Sequence, residues 1–431
     1  MFRVPRFSIL VGPSAICANM PRTKAMLGSH SMRMTWFFRL RPLALFSLTI
    51  TMIACGGNTS SGGGGGGTPP PTSSEILYAA NGMNSLFAFN IDQTSGVLNQ
   101  TASEVPGGDY VGNSDIVVTP SGNFLYAAND ANSQINGYAT NSSGALSLIA
   151  GSPFAAQPSS LVLGGFAVDP GGKFLYAGSQ SGYGVVGFTI DSTTGALTPV
   201  PGGPFSTGIG TPPAKLSIDP TGSFLYASTV TDDISIPIPG YNVWGFTIDS
   251  ATGALSSIVG SPFATVGNAQ PFGLKVDPSG KFLYVALSNA GSVAAFTIDG
   301  TTGALTSVAG SPFATASTEA TQTYEIALTP SGKFLYAFNL NGNTMSAFTI
   351  DPASGALSTV AGSPFPVNPE GEGQIIVDPS GQFLYLTIGS SSSNAFVIFD
   401  IDASTGALSP NPESPVAGGQ EPVGLAVAQF Q

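Results

Sequence analysis

Asp277-Pro278-Ser279-Gly280-Lys281-Phe282-Leu283-Tyr284 is the stretch that decides the fold. Its first half is a turn: Asp accepts from the backbone, Pro presets φ at the second position, and Gly closes the reversal. Its second half runs on through Val285-Ala286 as large apolar residues of the kind that fill a buried strand. Upstream, Leu274-Lys275-Val276 reads as a strand entering the turn. Downstream, Val293 to Ile298 reads as a third strand, Asp299 to Gly303 as a second turn, and Ala304 to Val308 as a fourth strand. The eight-residue phrase recurs at 119–126, 169–176, 219–226, 329–336 and 378–385, with Thr119 and Thr329 replacing Asp, and a shortened copy ends at Tyr78. The seven closing tyrosines are 48, 50, 50, 58, 52 and 49 residues apart. A second phrase, Thr/Ser-Gly-Ala-Leu, keeps phase at Gly96, Gly144, Gly195, Gly253, Gly303, Gly355 and Gly406, with Val97 in place of Ala in the first copy. Gly-Ser-Pro-Phe follows at Gly151, Gly260, Gly310 and Gly362, and a degraded version stands at Gly202.

Four antiparallel strands in about 50 residues, repeated seven times, predict an all-β, seven-bladed propeller of four-stranded blades. A linear solenoid would need polar capping repeats at both ends, and the sequence has none. The first repeat lacks an inner strand of its own. Pro422 to Ala428 supplies one with nothing after it, so both termini are expected to complete a single blade and close the ring.

The segment ahead of the repeats has a different composition. All six arginines and the single histidine, His30, lie before residue 42, and all 24 acidic residues lie after residue 74. Arg39 and Arg41 precede an apolar run from Pro42 to Ala54 that ends at Cys55. A basic start, a short apolar stretch and a small residue before the cut form an export signal, and the run is short for a membrane span. Residues 1–54 are therefore expected to be a lipoprotein signal peptide, with Cys55 the lipidated first residue after cleavage. Residues 55–74, with six consecutive glycines and then Thr68-Pro69-Pro70-Pro71, are expected to be a flexible tether. The expected propeller domain is 75–431. The expected location is the bacterial cell envelope, in the periplasm, at the outer membrane or on the surface, with the protein a lipid-anchored monomer.

After Cys55, five lysines face 24 acidic residues, a net side-chain charge of −19. Such a surface repels nucleic acid. The sequence has no cysteine or histidine pattern for zinc or haem, and its acidic turns fall short of a calcium loop. No metal and no cofactor is expected.

The combination of Asp-Pro-x-Gly, Phe-Leu-Tyr, Val-x-x-Phe-x-Ile-Asp and Thr-Gly-Ala-Leu resembles the lactonase-type propeller family, which includes propeller 6-phosphogluconolactonases and muconate-lactonizing enzymes. The resemblance covers residues 75–431. It implies the fold, and it implies catalysis by His and Arg near the propeller axis. No His or Arg follows Arg41, so those groups have no counterpart after cleavage. A Ser-His-Asp triad fails for the same reason. A phosphorylated sugar lactone is a poor substrate for an exported, strongly acidic protein.

Candidates for a site come from counting four residues back from each Asp-Pro or Thr-Pro turn, to the mouth of each inner strand. Those positions hold Asp115, Gly165, Lys215, Gly273, Glu325, Gln374 and Gly424. Lys215 and Lys275 lie on inner strands and are expected to face Asp115 and Glu325. Lys215, Glu325 and Asp115 are the catalytic candidates; Lys215, Lys275, Asp115, Glu325 and Gln374 are expected to bind the ligand. The fourth repeat carries about eight extra residues within Ser228–Val243, so Tyr241 and Trp244 join the binding candidates. Two functions fit. One is a tethered binding platform for a small molecule, glycan or envelope protein. The other is a lactonase-type hydrolase acting on a neutral or weakly acidic lactone through Lys and carboxylate groups.

Overall fold

Each repeat folds as one antiparallel sheet, and seven such sheets form the ring. The computed structural model describes residues 74–430 apart from 82–84, 102–104, 107–114, 130–132, 157–162, 180–183, 209–211, 230–241, 266–268, 316–321, 372, 390–393 and 419–421. The leader, Cys55 and most of the tether lie outside the described residues, as do Tyr241 and most of the fourth-repeat insertion.

The fifth blade shows the common plan. Its inner strand is Pro271–Val276, followed by Phe282–Leu287 and Ser292–Ile298. The outer edge, read from sequence as one strand, is two short ones, Leu305–Ser307 and Phe313–Ala314, both paired to the third strand. The Gly-Ser-Pro-Phe phrase divides them. Its Ser311 hydroxyl accepts from Ala295 N–H at 2.9 Å, so the phrase stays fastened to the blade while the chain bends.

The two repeated phrases fit each other across the seams between blades. The Tyr226 hydroxyl donates to the Gly303 carbonyl of the next blade at 2.8 Å. A Cβ on Gly303 would lie 2.5 Å from the Phe224 ring, and its φ is +73°, so only glycine fits there. The same pairing of Tyr and Phe with the next blade's Gly recurs at six seams, with hydroxyl-to-carbonyl distances of 2.7–3.1 Å. The passage from the first blade to the second is the exception. There Ile76 replaces Phe, the Asn141–Gly144 turn is one residue shorter, and the buried Tyr78 hydroxyl makes no bond to a glycine carbonyl of the next blade, with Thr140 beside it instead. An apolar cluster fills each of the seven seams. At about 1.5–3 kcal/mol for each large apolar side chain buried, these seams are the main source of stability.

The ring closes as expected. Pro422–Phe430 pairs antiparallel with Ser74–Asn81, placing Leu77 opposite Val427 and Ala79 opposite Leu425. Leu425, Ala426 and Ala428 are buried, while Val423 and Val427 are half-buried. Burial falls on both faces of this strand because a neighbouring blade packs against each: Leu425 joins the cluster shared with the seventh blade, and Ala426 and Ala428 the cluster shared with the second.

Candidate functional site

The inner strands converge on the axis, so equivalent positions in different repeats become neighbours. In blades three to six the pairing of the inner strand slips just at the mouth, at Gly164/Phe166, Pro213/Lys215, Pro271/Leu274 and Thr323/Glu325. A bulge of this kind re-aims the next side chain. In the fourth blade, Ser228 satisfies the backbone at the slip. Its hydroxyl accepts from Lys215 N–H at 3.2 Å and donates to Phe272 O at 2.6 Å. Thr387 does a similar job in the seventh blade, accepting from Gln374 N–H at 2.8 Å.

Four of the mouth side chains meet across the channel. Lys215 Nζ donates to Asp115 Oδ1 at 2.5 Å and lies 3.1 Å from Glu325 Oε1. The second contact is a close ion pair whose angle falls short of a hydrogen bond, and Glu325 Oε1 has no other polar partner among the described residues. Gln374 Nε2 donates to Asp115 Oδ1, and Leu425 N–H donates to Gln374 Oε1 at 3.2 Å. One polar chain thus links blades six, four, two, seven and one. Glycine makes room for it: a Cβ on Gly273 would lie 2.9 Å from Glu325 Oε2 and 3.0 Å from Glu325 Cα.

These groups line a cavity of about 350 Å³ with Lys275, Leu216, Leu274, Ile375 and Leu425 in its wall, within the size range of small-molecule sites. The side chains of Lys215, Asp115 and Glu325 are only 17%, 15% and 8% exposed, so the cluster is largely dry. Burial alone would favour a neutral Lys215, but Asp115 and Glu325 outweigh it and hold the ammonium more firmly protonated than a free lysine. Burial raises the affinity of Glu325 for its proton; Lys215 opposes this, Asp115 adds to it and Lys275 opposes it, and the net shift is upward. The site pairs a fixed cation with a carboxyl group that can take up and return a proton.

Lys275 also lines the cavity but is exposed, and among the described residues it forms no ion pair. The expected contact of Lys275 with Asp115 and Glu325 is therefore not direct; it acts on Glu325 through the field. Trp244 is not part of the cluster. It sits on the third strand of its blade, Asn242–Ile248, stacked on Phe246 at 6.2 Å and packed against the seam between blades three and four. A third strand stands two strands out from the axis, which is why proximity to the insertion did not bring Trp244 to the mouth. Among the described residues, no group of three or more His, Cys, Asp or Glu side chains could hold a metal ion.

Sequence reasoning missed an aromatic pair. Phe272 and Tyr324, each one residue before a mouth position, stack at 4.0 Å and 23°. The signal was in the repeats, because the same position elsewhere holds Ser114, Gly164, Ala214, Gly373 and Val423. The bulge-filling Ser228 was missed too, and no motif marks it.

Comparison with known proteins agrees with the architecture. The profile of the family described as "Lactonase, 7-bladed beta-propeller" matches residues 72–204, 204–314 and 311–425. A 6-phosphogluconolactonase of Formosa agariphila is 35% identical over 103 residues, 23% of this chain and 28% of that protein. A 6-phosphogluconolactonase of Pectobacterium carotovorum is 26% identical over 178 residues, 41% of this chain and 52% of that protein. The chain thus aligns with about half, or less, of the length of these relatives. Among solved structures, the periplasmic gluconolactonase of Pseudomonas aeruginosa superposes with a TM-score of 0.65 at 18% identity, covering 83% of this chain and 99% of that one.

Proposed function

Because this chain belongs to the seven-bladed Lactonase propeller family, we propose that it hydrolyses an unphosphorylated lactone at the channel mouth. The observation that carries this reading is the Lys215 ammonium, held between Asp115 and Glu325 in the wall of the cavity. In this scheme the lactone carbonyl oxygen points at Lys215 Nζ. Glu325 takes a proton from water as the water oxygen attacks the carbonyl carbon, and the ammonium faces the oxyanion that forms. Collapse breaks the ring C–O bond, and Glu325 returns the proton to the leaving ring oxygen. The product is an open-chain hydroxy acid. Asp115 and Gln374 hold Lys215 in place, and Lys275 is available to the substrate's anionic or hydroxyl substituents.

The lack of Arg after Arg41, together with the side-chain charge of −19, argues against a phosphorylated substrate. The test is hydrolysis of glucono-1,5-lactone by the purified full chain, followed by acid release above the spontaneous rate. Lys215→Met should abolish the excess rate. A Lys215→Met variant that hydrolyses like the parent would overturn this assignment.

A binding platform without turnover is the second reading, favoured by the lack of any His or Arg after residue 41. Saturable binding of sugar lactones with no acceleration of their opening would select it. In either case we place the protein in the cell envelope, anchored through Cys55. Cys55→Ala should then move it from the membrane to the soluble fraction or leave it unprocessed, and unchanged membrane association would refute the anchor.

A further inference from the structure

Solvent reaches the channel unevenly along its length. At the mouth, the side chains of Lys215, Asp115 and Glu325 are at most 17% exposed, and their contacts run from wall to wall. Lys275 stands two residues beyond the mouth position of its inner strand, towards the Asp-Pro and Thr-Pro turns. It is exposed although it lines the same cavity. The cavity wall continues past it to Pro278 and Pro330, which are exposed in those turns. The level at which Lys275 stands is otherwise uncharged, since the equivalent residues are Val117, Ala167, Ser217, Ala327, Ile376 and Ala426. Two carboxylates neutralise Lys215, whereas Lys275 forms no ion pair among the described residues, so its field is directed into the channel.

We infer that the channel opens at the turn end, and that Lys275 makes the stretch behind this opening a binding site for a small monocarboxylate. The identity of that carboxylate, the ring-opened hydroxy acid, rests on the hydrolase reading; the anion site itself does not. A carboxylate newly formed at the mouth faces Asp115 and an ionised Glu325, which repel it. Lys275 is the next cation along the described wall, at a level where no other side chain competes for it. An ammonium among half-apolar walls attracts an anion more strongly than one on an open surface, because walls of low polarisability concentrate its field. One unpaired ammonium matches one negative charge. A doubly charged phosphate would meet no second unpaired cation in the described wall.

The test places a thiol at Ile376, which lines the cavity from the seventh blade at the level of Lys275. The only cysteines, Cys17 and Cys55, precede the ring, so the parent chain supplies the background. Modification of full-length Ile376→Cys by an anionic sulfonatoethyl and a cationic trimethylammonioethyl methanethiosulfonate is timed by mass spectrometry, each rate taken relative to that with free cysteine. The anionic reagent should be favoured about tenfold, and adding Lys275→Met should abolish the preference. Sodium gluconate should protect the thiol, and Pro278→Trp with Pro330→Trp should slow both reagents by narrowing the opening. Where Ile376→Cys does not fold, Leu328→Cys, in the wall of the same cavity, replaces it; where the tryptophan pair does not fold, Pro330→Trp alone is used. A thiol that neither reagent reaches in the folded chain overturns the turn-end opening, as does full reactivity behind the tryptophans. Equal relative rates, or a preference that survives Lys275→Met, overturn the anion site. Gluconate protection without lactone hydrolysis overturns the hydrolase reading and leaves the anion site standing. Hydrolysis without gluconate protection leaves the hydrolase reading and overturns the assignment of its product to Lys275.

Discussion

The two ends of the ring follow different rules. At the end formed by the Asp-Pro-x-Gly and Thr-Gly-Ala-Leu turns, the repeats are near copies of one another in contact as well as in sequence. Asp277 Oδ1 accepts from Lys281 N–H at 2.8 Å and Phe282 N–H at 2.7 Å, and Asp219 does the same for Ser223 and Phe224. Even the Thr turns keep one such bond, from Phe334 N–H to Thr329 Oγ1 at 3.2 Å. At the other end, seven equivalent positions hold Asp, Gly, Lys, Gly, Glu, Gln and Gly. Repetition here reports a seam that must be made the same way many times. Divergence at a position where the geometry is equivalent reports a demand made only once, which is what a ligand site imposes.

The contrast is broken most severely by opening the ring. Deleting 422–431 removes the inner strand of the first blade, with buried Leu425, Ala426 and Ala428, and exposes the edge of Ser74–Asn81. At about 1.5–3 kcal/mol for Leu425 alone, with the strand pairing lost as well, destabilisation of several kcal/mol is expected. A steep fall in melting temperature or aggregation on size exclusion would show it, and a truncated chain as stable as the parent would refute closure by both termini.

Next in size are changes at the mouth, which should act on activity far more than the seam does. Lys215→Met is expected to lower kcat by about 10²–10³, the usual loss of one oxyanion partner. It should also destabilise the fold, because Asp115 and Glu325 are left facing each other with little solvent. Glu325→Gln should lower kcat by about 10²–10⁴ with a smaller loss of stability. The parent's kcat/KM should rise with pH as the Glu325 carboxylate forms, with a midpoint above the ordinary carboxylate range, since burial favours the protonated form. The sign for folding is opposite. A raised folded-state pKa stabilises the fold below the unfolded-state value, and that contribution is lost as pH climbs through the folded-state pKa. Glu325→Gln should therefore flatten the decline in stability as pH rises above the ordinary carboxylate range. Parallel pH–stability curves for parent and variant would contradict the assignment.

Smaller still, and aimed at the seam itself, is a pair of tyrosine substitutions. Tyr284→Phe removes the bond to the Gly355 carbonyl and leaves that buried acceptor unpaired, at about 1–3 kcal/mol. Tyr78→Phe removes a hydroxyl that holds no carbonyl of the next blade and should cost clearly less. Equal losses from both, measured by chemical denaturation, would mean that the Tyr–Gly contact is not what fastens the blades.

The same division explains what could be read from the sequence. The blade count, the four-strand plan and the closing strand followed from phrases that recur because they make seams. The mouth cluster of Asp115, Lys215, Glu325 and Gln374 was reachable by counting, since equivalent positions in a ring must converge. The Phe272–Tyr324 stack was legible only as a departure from small residues one position earlier. Ser228 could not be found, because a hydroxyl that fills a bulge depends on where the pairing slips, and no motif sets that. The split outer strand escaped notice because alternation over three residues and then two does not distinguish one strand from two.

The smallest expected effect concerns Trp244, the only tryptophan after the leader. Its place beside the insertion suggested a reporter of ligand binding, but the indole lies on the third strand, stacked on Phe246, with its Nε1 buried and without a hydrogen-bond partner among the described residues. A ligand at Lys215 and Glu325 reaches the inner strands, two strands away from that ring. Saturating glucono-1,5-lactam should therefore leave the Trp244 emission maximum and intensity almost unchanged, even under conditions where calorimetry shows full occupancy. A half-buried indole packed in this way responds chiefly to changes in its immediate surroundings, and the apolar cluster between blades three and four has no reason to rearrange when the channel fills. A large blue shift or strong quenching would point the other way. Residues 230–241 join the second and third strands of this blade, so such a signal would mean that the insertion moves against the ligand and carries part of the binding that the mouth residues are here assigned alone.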